Sequence, residues 1–287
     1  MKLSLAHTLR HYDKKNIGKD ILAGLIIMAV SIPISMGYAL IAGLPAVYGL
    51  YGSVFPILVF ALLSTSPQFI FGVDAAPAAL IGSALLTLHV EAGSEEAMAV
   101  VPVLTFFVAM WLLAFSFMKA GKLVNYISAP VMGGFITGIC STIILMQVPK
   151  ILGGTAGTGE FFELAKHIGQ TAKHVNMPSI LLGVASLVIL LVAKKLVPKF
   201  PMAVVLMVAG ACYTRVGNVR ELGIQTLSKV ETGLPQWQIP DFSAVSIREA
   251  VTVSLSVAVV IMAETLLAEN NFAQKNGYRI DDNQEIF

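Results

Sequence analysis

The chain has 287 residues, of which 56% are hydrophobic and only 13% are charged, and its formal net charge is +2. Soluble domains carry about 25% charged residues, so this chain cannot cover a globule of its size with polar surface. The composition therefore excludes a soluble enzyme, and the small net charge gives no footprint for binding nucleic acid. The sequence predicts an integral membrane protein.

Charged residues are absent from long stretches of the chain. The longest stretch runs from Ile21 to Val73, which is 53 residues without Asp, Glu, Lys, Arg or His. A membrane-crossing helix needs roughly 20 apolar residues, so this stretch holds two spans and leads into a third. In total we predict about eight spans in an all-α, multi-span bundle: Asp20–Leu40, Leu44–Leu63, Phe69–Val90, Ala97–Met118, Ile127–Gln147, Pro178–Leu196, Pro201–Val216 and Ile247–Ala268.

These spans divide the chain into an arm (1–19), a membrane domain (20–268) and a polar segment (269–287). The arm is rich in Lys, and positively charged flanks favour the cytoplasmic side, so we predict that the arm and the polar segment are cytoplasmic. Between the fifth and sixth spans, Glu160–Lys173 has apolar residues at helical spacing, which predicts a short surface helix. Ser246 followed three residues later by Glu249 predicts a capping box for the last span.

The third span begins irregularly. Asp74 and then Pro77 are helix-initiating residues that follow Gly72. From Pro77 to His89 there are only 13 residues, about 20 Å of helix, which is too short to cross a membrane. A helix that begins inside the membrane presents free N–H groups and the positive end of its dipole, so it forms an anion site of the kind used by secondary transporters. The alternative is a kinked span that Asp74 merely caps.

Two further positions in apolar spans carry polar chemistry. Pro33 interrupts the first span and is followed by small residues and by Tyr38, a pattern that suits either a ligand or ordinary helix packing. Glu264 lies in the last span, where an acid is a functional candidate by default. Its distance from Ser246, about 27 Å along a straight helix, also places it near the end of the span, where a solvated Glu is ordinary.

Several segments resemble the sulfate permease (SulP) family of anion transporters. The stretch IPISMGYALIAGLPAVYGLYG (32–52) is similar to the family's signature, and LLSTSPQFIFGVDAA resembles its approach to the third helix. SAPVMGGFITGICSTIILMQVPKILG (128–153) resembles the fifth-helix motif. AETLLAENNFAQKNGYRIDDNQE is similar to the eighth helix and the segment after it. The resemblance covers essentially the whole chain in the right order.

The resemblance implies a fold of fourteen segments in two inverted repeats of seven, with an anion between half-helices three and ten. This chain would hold the first repeat and the start of the second, and would end before helix ten and before the cytoplasmic domain that usually follows. The resemblance assigns the substrate site to Tyr38 and to the backbone of Asp74, Ala75 and Ala76, and it assigns ion coupling to Glu264. It also assigns Ile34 to the substrate site, at a position where Gln is frequent in the family, so that a polar ligand is lost there. Val73 is a second departure, because it replaces a frequent Pro.

From these observations we expect a proton-coupled secondary transporter of sulfate-like or bicarbonate-like anions or small carboxylates, in which a block holding helices one, three and eight moves against helices five to seven. Expected partners are the anion, a proton in preference to sodium, the bilayer and a second copy of the chain as a homodimer. No cofactor, metal ligand set or enzymatic activity is expected, and the location is a bacterial inner membrane. Two alternatives stay open: a truncated non-transporting protein that assembles with other chains, and an anion channel of the same fold.

Overall fold

A computed structural model of the chain describes residues 12–122, 129–155, 157, 161–197, 200–219, 221–226, 233–235 and 239–287. This part of the chain is helical and contains no β-strand. A short 3-10 turn, Lys14–Asn16, precedes the first helix. The α-helices are α1 (Ile17–Ile41), α2 (Ala46–Leu63), α3 (Ala75–Thr87), α4 (Glu95–Phe117), α5 (Ala129–Ile151), α6 (Phe161–Thr171), α7 (Met177–Leu196), α8 (Met202–Val216), α9 (Ile247–Asn276) and α10 (Asp282–Ile286).

The helices confirm the all-α, multi-span prediction. Among the described residues, five helices (α1, α2, α4, α7 and α9) are long and apolar enough to cross a membrane by length and composition. The shorter apolar helices include α3 and α8, which correspond to the third and seventh predicted spans. The predicted surface helix is present as α6. Residues 1–11 of the predicted arm lie outside the described residues.

The third predicted span is a half-helix, as its sequence indicates. Residues 64–74 are not helical, and α3 begins only at Ala75 and ends at Thr87 after 13 residues. Asp74 is its N-cap, with an extended backbone and a side chain that accepts a hydrogen bond from the Ala75 N–H. The broken start therefore follows from a local signal, because an Asp in an extended conformation satisfies a free N–H where no preceding turn exists.

Two local predictions are corrected by the structure. The first span does not break at Pro33, since α1 continues through it from Ile17 to Ile41. A proline removes only one backbone donor, and neighbouring groups in a membrane helix can accommodate the freed carbonyl. At the start of α9, Ser246 is the N-cap residue, but its side chain makes no capping hydrogen bond. The helix begins where the capping box predicts, but the Ser246 hydroxyl does not hold its start.

The described residues form two compact units. The first unit includes Ser35–Ile139 and Thr232–Phe287, and therefore the end of α1, α2 to α4, the start of α5, α9 and α10. In this unit α9 packs most extensively against α4 and also contacts α3 and α10. The Trp111 indole N–H of α4 donates to the Val251 carbonyl of α9 at 3.1 Å. This packing brings the third and last predicted spans together.

Two glycines allow very close helix packing in the first unit. A Cβ atom on Gly49 of α2 would lie 2.0 Å from the Ser35 carbonyl oxygen, and one on Gly82 of α3 would lie 2.3 Å from the Ile41 carbonyl oxygen. Any larger residue would force the backbones apart, so these glycines hold α2 and α3 against the end of α1.

The second unit contains Lys15–Ile34 and Cys140–Glu231, and therefore most of α1, the end of α5 and α6 to α8. Asn176 organises the start of α7, because its side chain accepts from the Ser179 N–H at 2.8 Å and donates to the Leu222 carbonyl at 2.8 Å. Leu164 anchors α6 through a fully buried side chain. Many large apolar residues of α7, such as Leu181 and Leu191, are exposed, as expected for a helix in contact with lipid.

Candidate functional site

A cavity of about 580 Å³ lies within the first unit, at the start of α3. Its walls come from the end of α1, the first half of α2, the non-helical segment before α3, α3 itself, α4 and α9. The residues that carry polar side chains into this lining are Tyr38, Tyr48, Asp74, Thr105, Glu264 and Thr265. The remainder of the wall is largely apolar, as in most small-molecule sites.

The N-terminus of α3 gives the cavity its backbone donor. The Asp74 carboxylate accepts from the Ala75 N–H at 2.6 Å, and the Ala78 N–H bonds to the Asp74 carbonyl at 3.3 Å. Pro77 has no N–H. Of the first helical residues, Ala76 is left with an N–H that has no partner among the described residues. This N–H, at the positive end of the helix dipole, is the group that an anion could accept.

Three predicted site residues surround the same space from three elements. Tyr38 of α1, Asp74 before α3 and Glu264 of α9 all line the cavity. The Asp74 carboxyl interacts electrostatically with both the Tyr38 hydroxyl and the Glu264 carboxyl. Both Glu264 oxygens are buried, and no donor within the described part of the chain bonds to them. The Glu264 carboxyl also lies close enough to the Asp74 carboxyl for a side-chain hydrogen bond, which a proton on one of the two groups would complete.

The remaining predicted residues are placed differently. Ala75 is 2% exposed, and neither Ala75 nor Ala76 contributes a side chain to the cavity, so any role is through the backbone. Ile34 does not line the cavity; it lies one helical turn before Tyr38 on α1 and is 44% exposed. Val73, the other departure from the family pattern, does line it.

The sequence alone did not indicate the contribution of α4. Thr105 lines the cavity, and its hydroxyl donates to the Val101 carbonyl of its own helix at 2.9 Å. Thr265, next to Glu264, lines it as well. A threonine in an apolar span is the only signal that could have marked either residue, and such residues commonly bond to their own helix.

The ionisable residues that line the cavity are acidic. No Lys, Arg or His is among its described lining residues, whereas Asp74 and Glu264 are. Nor do the described residues contain a group of three or more His, Cys, Asp and Glu side chains arranged for a metal ion. An anion entering here would meet two carboxyl groups, so its binding depends on whether those groups carry protons.

The half-helix, the cavity at its start and the apolar helices around it define a multi-pass membrane protein with a broken helix. A profile described as the sulfate permease family matches residues 17–287. The chain therefore belongs to the sulfate permease family.

Relatives in distant organisms agree with this membership. A probable sulfate transporter of Mycobacterium tuberculosis (strain H37Rv) is 28% identical over 278 residues, which cover 96% of this chain and 49% of the relative. A sulfate transporter of Bos taurus is 27% identical over 323 residues, covering 99% of this chain and 44% of the relative. The chain thus spans about half the length of these relatives.

Solved structures share the fold. The structure of SLC26A9 matches with a TM-score of 0.81 and 26% identity, over 99% of this chain and 48% of that one. The transmembrane domain of the cyanobacterial bicarbonate transporter BicA matches with a TM-score of 0.76 and 20% identity, over 96% of this chain and 70% of that domain. At 20% identity the second match supports the fold alone.

Proposed function

We propose that this chain forms the substrate-binding part of a secondary transporter for small anions, of the sulfate or bicarbonate type or small carboxylates. The observation that carries the proposal is the cavity at the N-terminus of α3, where the Ala76 N–H has no partner among the described residues. Membership of the sulfate permease family and the similarity to sulfate transporters of other organisms support sulfate as one of these substrates. We assign Tyr38, Asp74 and the backbone of Ala75 and Ala76 to the substrate site; Ile34 stays a prediction from the resemblance only.

Proton coupling is the second part of the proposal. The cavity offers an anion one helix dipole and hydroxyl groups, but it also holds two carboxyl groups and no cationic side chain. If both carboxyls were ionised, their repulsion would exceed the attraction of a helix terminus, which is equivalent to roughly half a positive charge. A proton that enters with the anion neutralises one of the two carboxyl groups and so lowers this repulsion. Glu264, with both oxygens buried, is the residue that we assign to proton binding.

The geometry also suits a carrier that moves its site as one body. All described residues lining the cavity belong to the first compact unit. A site held within one unit keeps its shape when that unit moves, as alternating access requires. We further propose a multi-pass location in the bacterial inner membrane with the N-terminus in the cytoplasm; a homodimer stays a prediction.

The test is uptake of labelled sulfate, bicarbonate and a small dicarboxylate into vesicles that contain the protein, with and without an inward proton gradient. We expect one of the three to accumulate and to do so faster with the gradient. Glu264→Gln should leave uptake independent of the gradient, while Glu249→Gln, an exposed acid at the start of the same helix, should leave the response intact. A gradient response that survives Glu264→Gln would reject the coupling role.

The same assay separates the two alternatives. Flux that is faster than carrier rates and is not driven by the proton gradient would indicate an anion channel. No flux with any of the three anions, together with pull-down of other membrane chains, would indicate a non-transporting assembly partner. An in-frame continuation after the codon for Phe287 that encodes a tenth-helix motif would favour the transporter.

A further inference from the structure

A second carboxyl cluster lies on α9, beyond the cavity. Glu269 is five residues after Glu264, has 0% of its surface exposed, and does not line the cavity. Both of its oxygens are buried and lack a hydrogen-bond partner among the residues that the structure describes. A fully buried carboxyl without a donor is unusual and costly, and the transport site does not account for it.

Glu285 of α10 is the second carboxyl group of this cluster, next to Glu269. One of its oxygens, Oε1, accepts hydrogen bonds from both the N–H and the hydroxyl of Thr65, in the segment after α2. The other, Oε2, is buried and has no partner within the described part of the chain. The carboxyl groups of Glu269 and Glu285 repel each other electrostatically and are placed for a side-chain hydrogen bond if one of them carries a proton. The cluster therefore contains two carboxyl groups with three buried oxygens that have no donor among the described residues.

The groups around the pair do not neutralise it. Asp282 also interacts with Glu269, and the Asn270 amide donates to Asp282 at 3.2 Å. Asn283 Oδ1 is a further buried acceptor without a partner among the described residues. On the outer side of α10, Lys119 and Lys122 line a surface hollow. The hollow is shared with Ser116, Asp281, Asn283, Gln284 and Phe287, and includes neither Glu269 nor Glu285.

We propose that Glu269 and Glu285 bind a single proton between them, as a second protonation site separate from Glu264. The proton comes from water and resides on Glu269, whose O–H then donates to Oε2 of Glu285. One proton in this position gives a partner to an orphaned oxygen on each residue and removes the repulsion between two buried like charges. Glu285 keeps its charge, which the two Thr65 donors stabilise.

This proton holds the segment Tyr278–Phe287 against the membrane-spanning helices. The Gln284 amide donates to the Leu63 carbonyl at 2.7 Å, the Asp281 N–H donates to the Thr65 hydroxyl at 3.0 Å, and Ile286 is buried. When the pair loses its proton, two adjacent carboxylates oppose these contacts. The docked segment binds one more proton than the released segment, so release is favoured as the pH rises.

The first experiment detects the proton itself. Infrared spectroscopy of the purified chain in detergent reports the carbonyl stretch of a protonated carboxyl, separately from that of a carboxylate. We expect Glu269→Gln to remove a protonated-carboxyl band at neutral pH, because the proton resides on Glu269. We expect Glu285→Gln to shift the same band, because it replaces the carboxylate that accepts from the Glu269 O–H. Glu249→Gln, at an exposed site, should remove none. If both pair variants keep the wild-type spectrum in this region, the shared proton is absent and the proposal fails.

The second experiment follows the docked segment and does not depend on any variant folding well. Amide hydrogen exchange of residues 278–287 in the wild-type chain, corrected for the intrinsic effect of pH, should become faster as the pH rises. In Glu269→Gln the amide replaces the protonated acid as donor, so exchange should stay slow throughout. Exchange in the wild type that is independent of pH, or that follows sodium concentration at constant pH, would overturn the proposal.

Discussion

Helices α3 and α9 border the same cavity, but they deliver polar groups to it in opposite ways. α3 has 13 residues and begins beside the cavity, so its N-terminus provides the polar groups: the Asp74 cap and the N–H of Ala76. α9 has 30 residues and continues past the cavity without a break, so its carboxyl groups are side chains of an intact helix. Glu264 is directed to the cavity and Glu269 to the segment around Glu285.

This difference has a consequence for accessibility. Asp74, at the broken start of α3, is exposed, and the open backbone beside it is available to a ligand. Glu269 is sealed beneath α10 with its oxygens inaccessible. In the apolar interior of a membrane protein, a broken helix exposes backbone groups at a cavity, while an intact helix keeps its backbone satisfied and places charge only where another element can cover it.

The largest expected effect comes from separating α3 from α1. In Gly82→Ala the new Cβ would lie 2.3 Å from the Ile41 carbonyl oxygen, so we expect a loss of about 3 kcal/mol of stability by overpacking, measured by thermal unfolding in detergent. The matched control is Gly210→Ala in α8, where nothing lies within 4 Å and Ala should be neutral or stabilising by up to about 1 kcal/mol. Equal effects at the two glycines would show that α3 is not held by this contact.

The sequence predicts α3 better than it predicts α9. Asp74 and Pro77 are local signals, and they place the start of the half-helix because capping involves neighbouring residues. α9 extends beyond the predicted Ala268 to Asn276, and its second buried acid could not be foreseen. Glu285 and Thr65 are 220 positions apart, and only the folded chain brings them to Glu269. The predicted break at Pro33 was wrong because whether a helix continues through a proline depends on the elements that pack around it.

Thr65→Val should show how strongly the segment Tyr278–Phe287 is held against α9. The change removes the hydroxyl that donates to Glu285 and accepts from the Asp281 N–H. We expect the segment Tyr278–Phe287 to lose about 2 kcal/mol of docking stability, seen as faster amide exchange in that segment. Thr252→Val is the control, because its hydroxyl donates only to the Arg248 carbonyl of α9 itself. Unchanged exchange after Thr65→Val would mean that the other contacts of the segment, such as the bond from the Gln284 amide to the Leu63 carbonyl, retain it without this hydroxyl.

Asp74 allows the cap of α3 and the charge in the cavity to be tested separately. Asn at this position keeps an oxygen that can accept from the Ala75 N–H, whereas Ala removes the cap at a cost of about 1 kcal/mol. We therefore expect Asp74→Ala to lower the unfolding temperature and Asp74→Asn to leave it nearly unchanged. Both variants remove the negative charge, so both should bind the transported anion more tightly in a titration calorimeter. Weaker binding by Asp74→Asn would assign the carboxylate a direct attractive role.

The smallest effect is expected where α9 begins. The Ser246 side chain makes no capping bond, in contrast to Ser94 at the start of α4, whose hydroxyl accepts from the Ala97 N–H at 3.0 Å. Ser246→Ala should therefore change the free energy of unfolding by less than about 0.5 kcal/mol, while Ser94→Ala should cost about 1 kcal/mol. A helix of 30 residues packed along α4 needs little from its first hydroxyl, since tertiary contacts provide most helical stability. If Ser246→Ala and Ser94→Ala lowered the free energy of unfolding equally, the capping box that the sequence predicts would be supported. α9 would then depend on its cap, as α3 does.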